Sequence, residues 1–215
     1  MATYGELSTR ILRMLGDPKG EGYAELQLLD AIQAAMDAIL PWAPKTSVTT
    51  LTGDGATVEF ALPSDAYAIE TVVVDATGEM LPPSIIAPGN YIGSNTTGAN
   101  SWILYPSGKV TLSKAIESDG TYTAYYLAHW TKPTPDTNDN DDLDTPETVL
   151  HALTLYASGW LLTSASIESA EVRQFGTRVD SGNPEHNPLQ ESSEWLFTLF
   201  LNEMKRNPRY QRAQL

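Results

Sequence analysis

Asp136, Asn138, Asn140, Asp142 and Glu147 occupy positions 1, 3, 5, 7 and 12 of the stretch DTNDNDDLDTPE. That is the ligand spacing of an EF-hand calcium loop, in which hard oxygens on alternate residues converge and a bidentate Glu closes the shell. Leu143 falls at the apolar eighth position of the same pattern. Two departures weigh against the metal. The sixth position, where Gly makes the sharp turn, holds Asp141. The segment entering the loop reads as a strand followed by TKPTP, not as a helix. The competing reading is a solvated loop whose acids lie near the start of the next helix and favour its dipole. Asp and Asn gather at caps and turns for that kind of reason. We read 132–145 as such a loop, with no metal favoured.

A second group stands at the other end of the charge scale. Lys205, Arg206, Arg209, Tyr210 and Arg212 lie in KRNPRYQRAQL, which carries four cations and no acid. Residues 133–204 sum to −11 and the whole chain to −14, so this basic end is set apart. Arg can pair bidentately with carboxylates, and Arg and Tyr are favoured at interface centres. The alternative is a solubilising, unstructured terminus. Other chemistry is thinly represented. His129, His151 and His186 form no zinc-type spacing, there is no cysteine, and no Gly-rich phosphate loop or Gly-x-Ser-x-Gly elbow occurs. The expectation is a protein that is not an enzyme and uses no cofactor. Tyr122, Tyr125, Tyr126 and Trp130 could stack bases, but no Lys or Arg is interleaved with them before Lys132. They read as packing or subunit contact.

These groups must be held by something, and 215 residues suffice for a real core in one or two domains. A net charge of −14 argues against nonspecific binding to nucleic-acid backbones. It suits a soluble protein, or one that repels DNA it must not hold. No stretch approaches the ~20 apolar residues of a membrane span, and MATYGELSTR lacks the apolar core of a signal peptide. The expected setting is the cytosol, or an assembly built there.

Hydrophobic period divides the chain into zones. Residues 1–45 read as a helical hairpin. Thr3 and Glu6 have capping-box spacing, and Leu7, Ile11, Met14 and Leu15 share a face. GDPKGEG breaks the pattern, and a second stripe follows through Leu29, Ile32, Met36, Ile39 and Leu40. Residues 46–131 change to β-branched runs with period 2. TSVTTL and TVEFAL flank TGDGA, which reads as a hairpin turn. AIETVVV, WILYP, KVTLSKAI and TYTAYYLAHW follow, while 88–101 reads as a mobile loop rich in Gly, Asn, Ser and Thr. Residues 146–206 return to helix, with Thr145 as N-cap and Pro146 first in the helix. Leu150, Leu153, Ala157, Trp160 and Leu161 keep helical spacing. After a break at 180–190, Trp195, Leu196, Leu199, Phe200 and Met204 mark a last helix, and 207–215 is the basic tail. The expected fold class is α+β: a helical bundle from both chain ends with an inserted antiparallel β domain.

The order of these segments is distinctive. TYGELSTRILRMLGDP leads to YAELQLLDAIQAAMDAILPW, then a β region with WILYPSG and GTYTAYYLAHWTKP, then an Asp-rich loop and TPETVLHALTLYASGWLL. This resembles the head–tail connector, or adaptor, proteins of tailed bacteriophages. The resemblance covers most of the chain and is best at 3–42 and 101–162. It implies a structural virion protein at the capsid–tail junction, assembled in the host cytoplasm. It implies a ring, usually twelvefold, below the portal protein. The ring would line the DNA channel without specific DNA binding and dock the next tail or stopper component. It also implies a C-terminal segment inserted into the portal, which makes Lys205, Arg206, Arg209, Tyr210 and Arg212 the portal-binding candidates. No membrane partner is expected. The alternative is a tail-tip or capsid-decorating module that binds through the β region. A calcium-dependent hydrolase is a third reading and requires carboxylates clustered in a cleft.

Overall fold

The computed structural model describes residues 2–83, 101–105, 108–176 and 188–206. Among the described residues, four α-helices and two antiparallel sheets make the protein α+β. It divides into two compact units, Met1–Ala43 with Trp130–Leu215, and Pro44–His129.

The first unit is helical. Helix α1 spans Tyr4–Met14 and α2 spans Glu25–Ile39. A 3-10 turn at Glu147–Val149 leads into α3, Leu150–Gly176, and α4 spans Pro188–Arg206. On α1 the spacing of Tyr4, Leu7, Ser8 and Ile11 puts them on one buried face. Met14 was expected there too, but it is 40% exposed. The chain turns away first: Gly16 takes φ 75°, its N–H donates to the Arg13 carbonyl, and Asp17 N–H donates to the Leu12 carbonyl. That pair of bonds is a Schellman stop, for which Gly is the favoured residue.

Helix α2 buries Leu28, Leu29, Ile32, Met36 and Ile39, while Leu40 is only half-buried. From α3 come Leu150, Leu153, Leu155, Ala157 and Leu161, and from α4 Leu196, Phe200 and Met204. Together with the α1 face they form one apolar core. Each fully buried side chain of this size contributes about 1.5–3 kcal/mol before entropy is counted. Helices α3 and α4 approach closely at Gly159, where a Cβ would stand 3.2 Å from the Phe197 ring. The buried Ser193 Oγ donates to the Gly159 carbonyl at 2.9 Å across the same contact.

Two sequence expectations fail here. Thr145 does not cap a helix: Pro146 precedes the 3-10 turn, and the Thr145 hydroxyl is buried with no hydrogen-bond partner. Trp195 is not a core anchor. It is 62% exposed, because the inward face of α4 is Ser193, Leu196, Phe200 and Met204.

The second unit holds β1 (Lys45–Thr52), β2 (Glu59–Ala61), β3 (Ala66–Val74), β4 (Glu79–Leu81), β5 (Trp102–Leu104), β6 (Lys109–Leu112) and β7 (Thr121–Ala128). One sheet runs β1-β7-β3-β4 and the other β2-β6-β5. Alternation on β7 is as the sequence suggested: Ala124, Tyr126 and Ala128 are buried and Tyr125 is exposed. Register shifts on β3 leave Tyr67 and Glu70 as the extra residues, both exposed. Leu51, Val72, Leu81, Trp102, Val110 and Leu112 form this unit's own core.

TGDGA is not a hairpin turn. Its two flanking strands lie in different sheets, β1 paired with β7 and β2 with β6. The backbone amides of Gly53 and Gly55 donate instead to the carbonyls of Gly120 and Ile116. A short connection that the sequence reading missed joins β3 and β4, where Gly78 adopts φ 71°. The stretch 88–101 lies outside the described residues except for Ser101.

Candidate functional site

The acidic loop is built by its own side chains. Thr134 N–H donates to Thr137 Oγ1 at 2.8 Å, and Thr137 N–H returns to the Thr134 carbonyl at 2.9 Å. Next, Asn138 N–H donates to Asp141 Oδ2 at 2.8 Å and Asp141 N–H to the Asn138 carbonyl at 2.9 Å. Two short polar turns therefore follow each other, which is what Asp, Asn and Thr favour. The buried Leu143 plugs the loop into the helical core.

The loop's backbone then does what its sequence did not reveal. The Asp141 carbonyl accepts from Tyr4 N–H, and the Asp139 carbonyl from Gly5 N–H, each at 3.0 Å. Leu143 N–H donates to the Ala2 carbonyl at 2.8 Å, beside an antiparallel bridge between Thr3 and Asp142. Thr3 Oγ1 accepts from Glu6 N–H at 3.2 Å, the hydroxyl half of the expected capping box. Glu6 lies 3.9 Å from Arg10. The first amides of α1, which have no partner within a helix, are thus satisfied by the loop and by Thr3. Asp139, Asp141 and Asp142 stand at the positive end of the α1 dipole, where such charges stabilise by about 0.3–1 kcal/mol each when exposed. The sequence reading had assigned them to the following helix. Gly5 in a first helical turn was the available signal, since glycine permits close approach of another backbone.

The loop is tied to α2 as well. Lys132 Nζ lies 2.7 Å from both carboxylate oxygens of Asp37. Gln33 Nε2 donates to the Pro133 carbonyl at 2.8 Å, and Trp130 Nε1 to the Ala43 carbonyl at 2.8 Å. The last contact gives Trp130 a structural role.

As to the calcium pattern, Asn138 donates its backbone N–H and its Nδ2 to the Asp141 carboxylate, Asp142 pairs with Thr3 through its backbone, and Glu147 opens the 3-10 turn. Among the described residues no three His, Asp or Glu side chains converge as metal ligands would. His129 meets the Tyr67 ring at a 55° tilt with centroids 5.1 Å apart, and His151 is exposed on α3. His186 lies outside the described residues. Of the basic candidates, Lys205 and Arg206 are exposed at the end of α4. Arg209, Tyr210 and Arg212 lie outside the described residues.

Two grooves run along α1. One, open and about 680 Å³, carries Arg10 and Arg13 against Glu6 and Asp139. The other, about 340 Å³, is lined by the buried Tyr4 and Ser8. Burial pushes the Tyr4 phenol pKa up, with Glu25 and Asp139 adding to it. The Ser8 hydroxyl pulls the other way, though its geometry falls short of an aligned hydrogen bond. No described helix is long and apolar enough to cross a membrane.

The acidic loop thus caps the helical unit, and the two sheets form a separate unit. The chain belongs to the SU10 adaptor protein family, whose model matches residues 2–182. It is accordingly a bacteriophage structural adaptor, a virion component that interacts with other head and tail components. The match takes in both units up to the break before α4 and leaves the basic tail outside it. No curated protein sequence matches the chain.

Proposed function

We propose that the chain forms a ring, a dodecamer, joining the portal at the capsid vertex to the next tail or stopper component and lining the DNA channel. The observation that carries this is the adaptor family match over 2–182. Within this reading the helices of the first unit form a bundle and the β unit is an insert. The charge agrees: a channel at −14 per chain, with −11 in residues 133–204, does not retain the DNA that passes. The basic end, Lys205, Arg206, Arg209, Tyr210 and Arg212, is the portal-binding segment, pairing its guanidinium groups with carboxylates.

The test is a reconstruction of assembled particles with this chain traced. A ring of portal symmetry at the vertex is expected, and trimers or copies spread over the capsid would overturn the proposal. Deleting 205–215 should leave the isolated chain folded and yield DNA-filled heads without tails. Normal tailed particles from that deletion would refute the tail assignment alone. One observation favours a tail-tip or capsid-decorating module instead. The outward face of the larger sheet carries Val48, Tyr125 and Met80 exposed and no charged residue opposite them. The same reconstruction separates the two.

A further inference from the structure

Strand β1 is an edge of the four-stranded sheet. Its ladder to β7 fixes which way each backbone group points. Just past the ladder's last pair, Thr52 opposite Thr121, Gly53 N–H donates to the Gly120 carbonyl. Bonding directions alternate along an antiparallel strand, so Ser47, Thr49 and Leu51 also turn toward β7. The N–H and C=O groups of Thr46, Val48, Thr50 and Thr52 point the other way. Bonds on the far side of β7 agree: Asp75 N–H donates to the Thr121 carbonyl and His129 N–H to the Asp65 carbonyl, so the odd-numbered residues of β7 serve β3. Among the described residues no backbone group pairs with the outward row of β1.

Proteins commonly blunt such edges by short length, charge, proline or a bulge. The other edges of this unit are blunted. Strands β2, β4 and β5 have three residues each, and β2 carries Glu59 beside Lys109. Where β4 leaves β3 uncovered, β3 is irregular around Tyr67 and Glu70. Strand β1 has eight residues and neither charge nor proline from Thr46 to Thr52. Thr46, Val48, Thr50 and Thr52 are all exposed.

We propose that β1 pairs antiparallel with β1 of a second copy, across a two-fold axis at Thr49. Thr46 then faces Thr52, and Val48 faces Thr50, each twice by symmetry. Every outward N–H and C=O of both strands is used, and a slip of the ladder in either direction leaves some unpaired. Charge agrees with this occupant. A chain at −14 meets its own copy where the strand carries no charge, and Lys45 of each copy stands opposite Gly53, one residue from Asp54, of the other. The two sheets join into one that ends at β4 on both sides, so the pairing closes at two copies. A cyclic ring repeats a head-to-tail contact instead. The pairing is therefore a state of the chain before assembly, in which the edge is shielded from other strands, and it does not rest on the ring reading.

The test is sedimentation of the intact chain, with single cysteines to report the register, since the sequence has none of its own. A monomer–dimer equilibrium is expected, moving toward dimer as salt rises, because screening weakens the repulsion between like-charged copies. Residue 49 faces its own copy as a non-hydrogen-bonded pair, with Cα atoms about 4.5 Å apart and within disulfide reach. Mild oxidation should link Thr49→Cys into a dimer and leave Thr52→Cys unlinked. Val48→Pro removes an outward N–H and no bond to β7. It should weaken the dimer about tenfold, as the symmetric pair of bonds is lost, and leave the melting temperature nearly unchanged. A chain that stays monomeric at every concentration and salt overturns the pairing. Association that survives Val48→Pro, or that yields no Thr49→Cys cross-link, places the contact elsewhere and overturns it as well.

Discussion

The amide of Gly5 donates to the carbonyl of Asp139 at 3.0 Å, and a Cβ on residue 5 would stand 2.8 Å from the Asp139 Cβ. The first turn of α1 and the acidic loop are therefore in contact through their backbones. Gly5→Ala forces them apart: the same Cβ would meet the Asp139 carbonyl oxygen at 2.9 Å. Overpacking of this kind costs about 1–3 kcal/mol, offset by up to about 1 kcal/mol of helix propensity. We expect a melting temperature lower by about 2–8 °C. A variant that melts at or above the parent would show that the loop yields freely.

Trp195 and Phe200 lie on one helix with opposite fates. Phe200 is buried and meets Tyr156 edge-on with centroids 5.1 Å apart. Phe200→Ala should cost about 3–5 kcal/mol in urea unfolding. Trp195→Ala should change stability by no more than about 0.5 kcal/mol. Equal losses from the two would contradict the assignment of α4's inward face.

Asp54 sits in the connection between β1 and β2. Its carboxylate accepts from Thr57 Oγ1 and Thr57 N–H, each at 2.6 Å, and from Ala56 N–H at 2.9 Å. These bonds lower its pKa from the ordinary 3.8 to about 2, the Thr57 hydroxyl being the largest cause. A depressed carboxylate favours the folded state above its unfolded pKa, and that contribution is lost as pH falls through about 2. Carboxyl NMR should place the Asp54 midpoint near 2, and Thr57→Val should move it upward. A midpoint near 4 in the parent would show that the turn opens in solution.

Calcium should leave the melting curve unchanged. A loop that bound the ion only when folded would be stabilised by mass action, but among the described residues no three His, Asp or Glu side chains converge as ligands, and the Asn138 side chain is turned onto Asp141. Melting with millimolar CaCl₂ and with chelator checks this. A rise in calcium alone would restore the loop as a metal site.

Local rules were legible and long-range partners were not. The 3.6-residue stripes located α1, α2 and the start of α3, and β-branched runs located six of the seven described strands. Period says which face of an element is apolar. It does not say what covers that face or which strand lies alongside. Thr52–Ala56 has the composition of a hairpin turn, yet its amides bond to 116 and 120, more than sixty residues on. Asp139 and Asp141 read as acids at the start of the next helix, whereas their carbonyls cap a helix more than a hundred residues earlier in the chain. Trp195 falls on a plausible stripe with Leu199, and only the actual position of α3 decides that Leu196 and Phe200 point inward. The basic candidates beyond Arg206 lie outside the described residues.

The bond from Trp130 Nε1 to the Ala43 carbonyl joins the two points at which the chain leaves and re-enters the helical unit. At the start of the β unit the same two strands are paired, Lys45 opposite Ala128. Both units thus keep their exit and entrance side by side, and little loop-closure entropy separates a long excursion from a short one. Residues 44–129 are in this sense a cassette. They can lengthen, shrink or be exchanged for another module without rerouting α1 to α4. A lineage could change what this part of the protein touches while leaving the helical core to the constraints of its own packing.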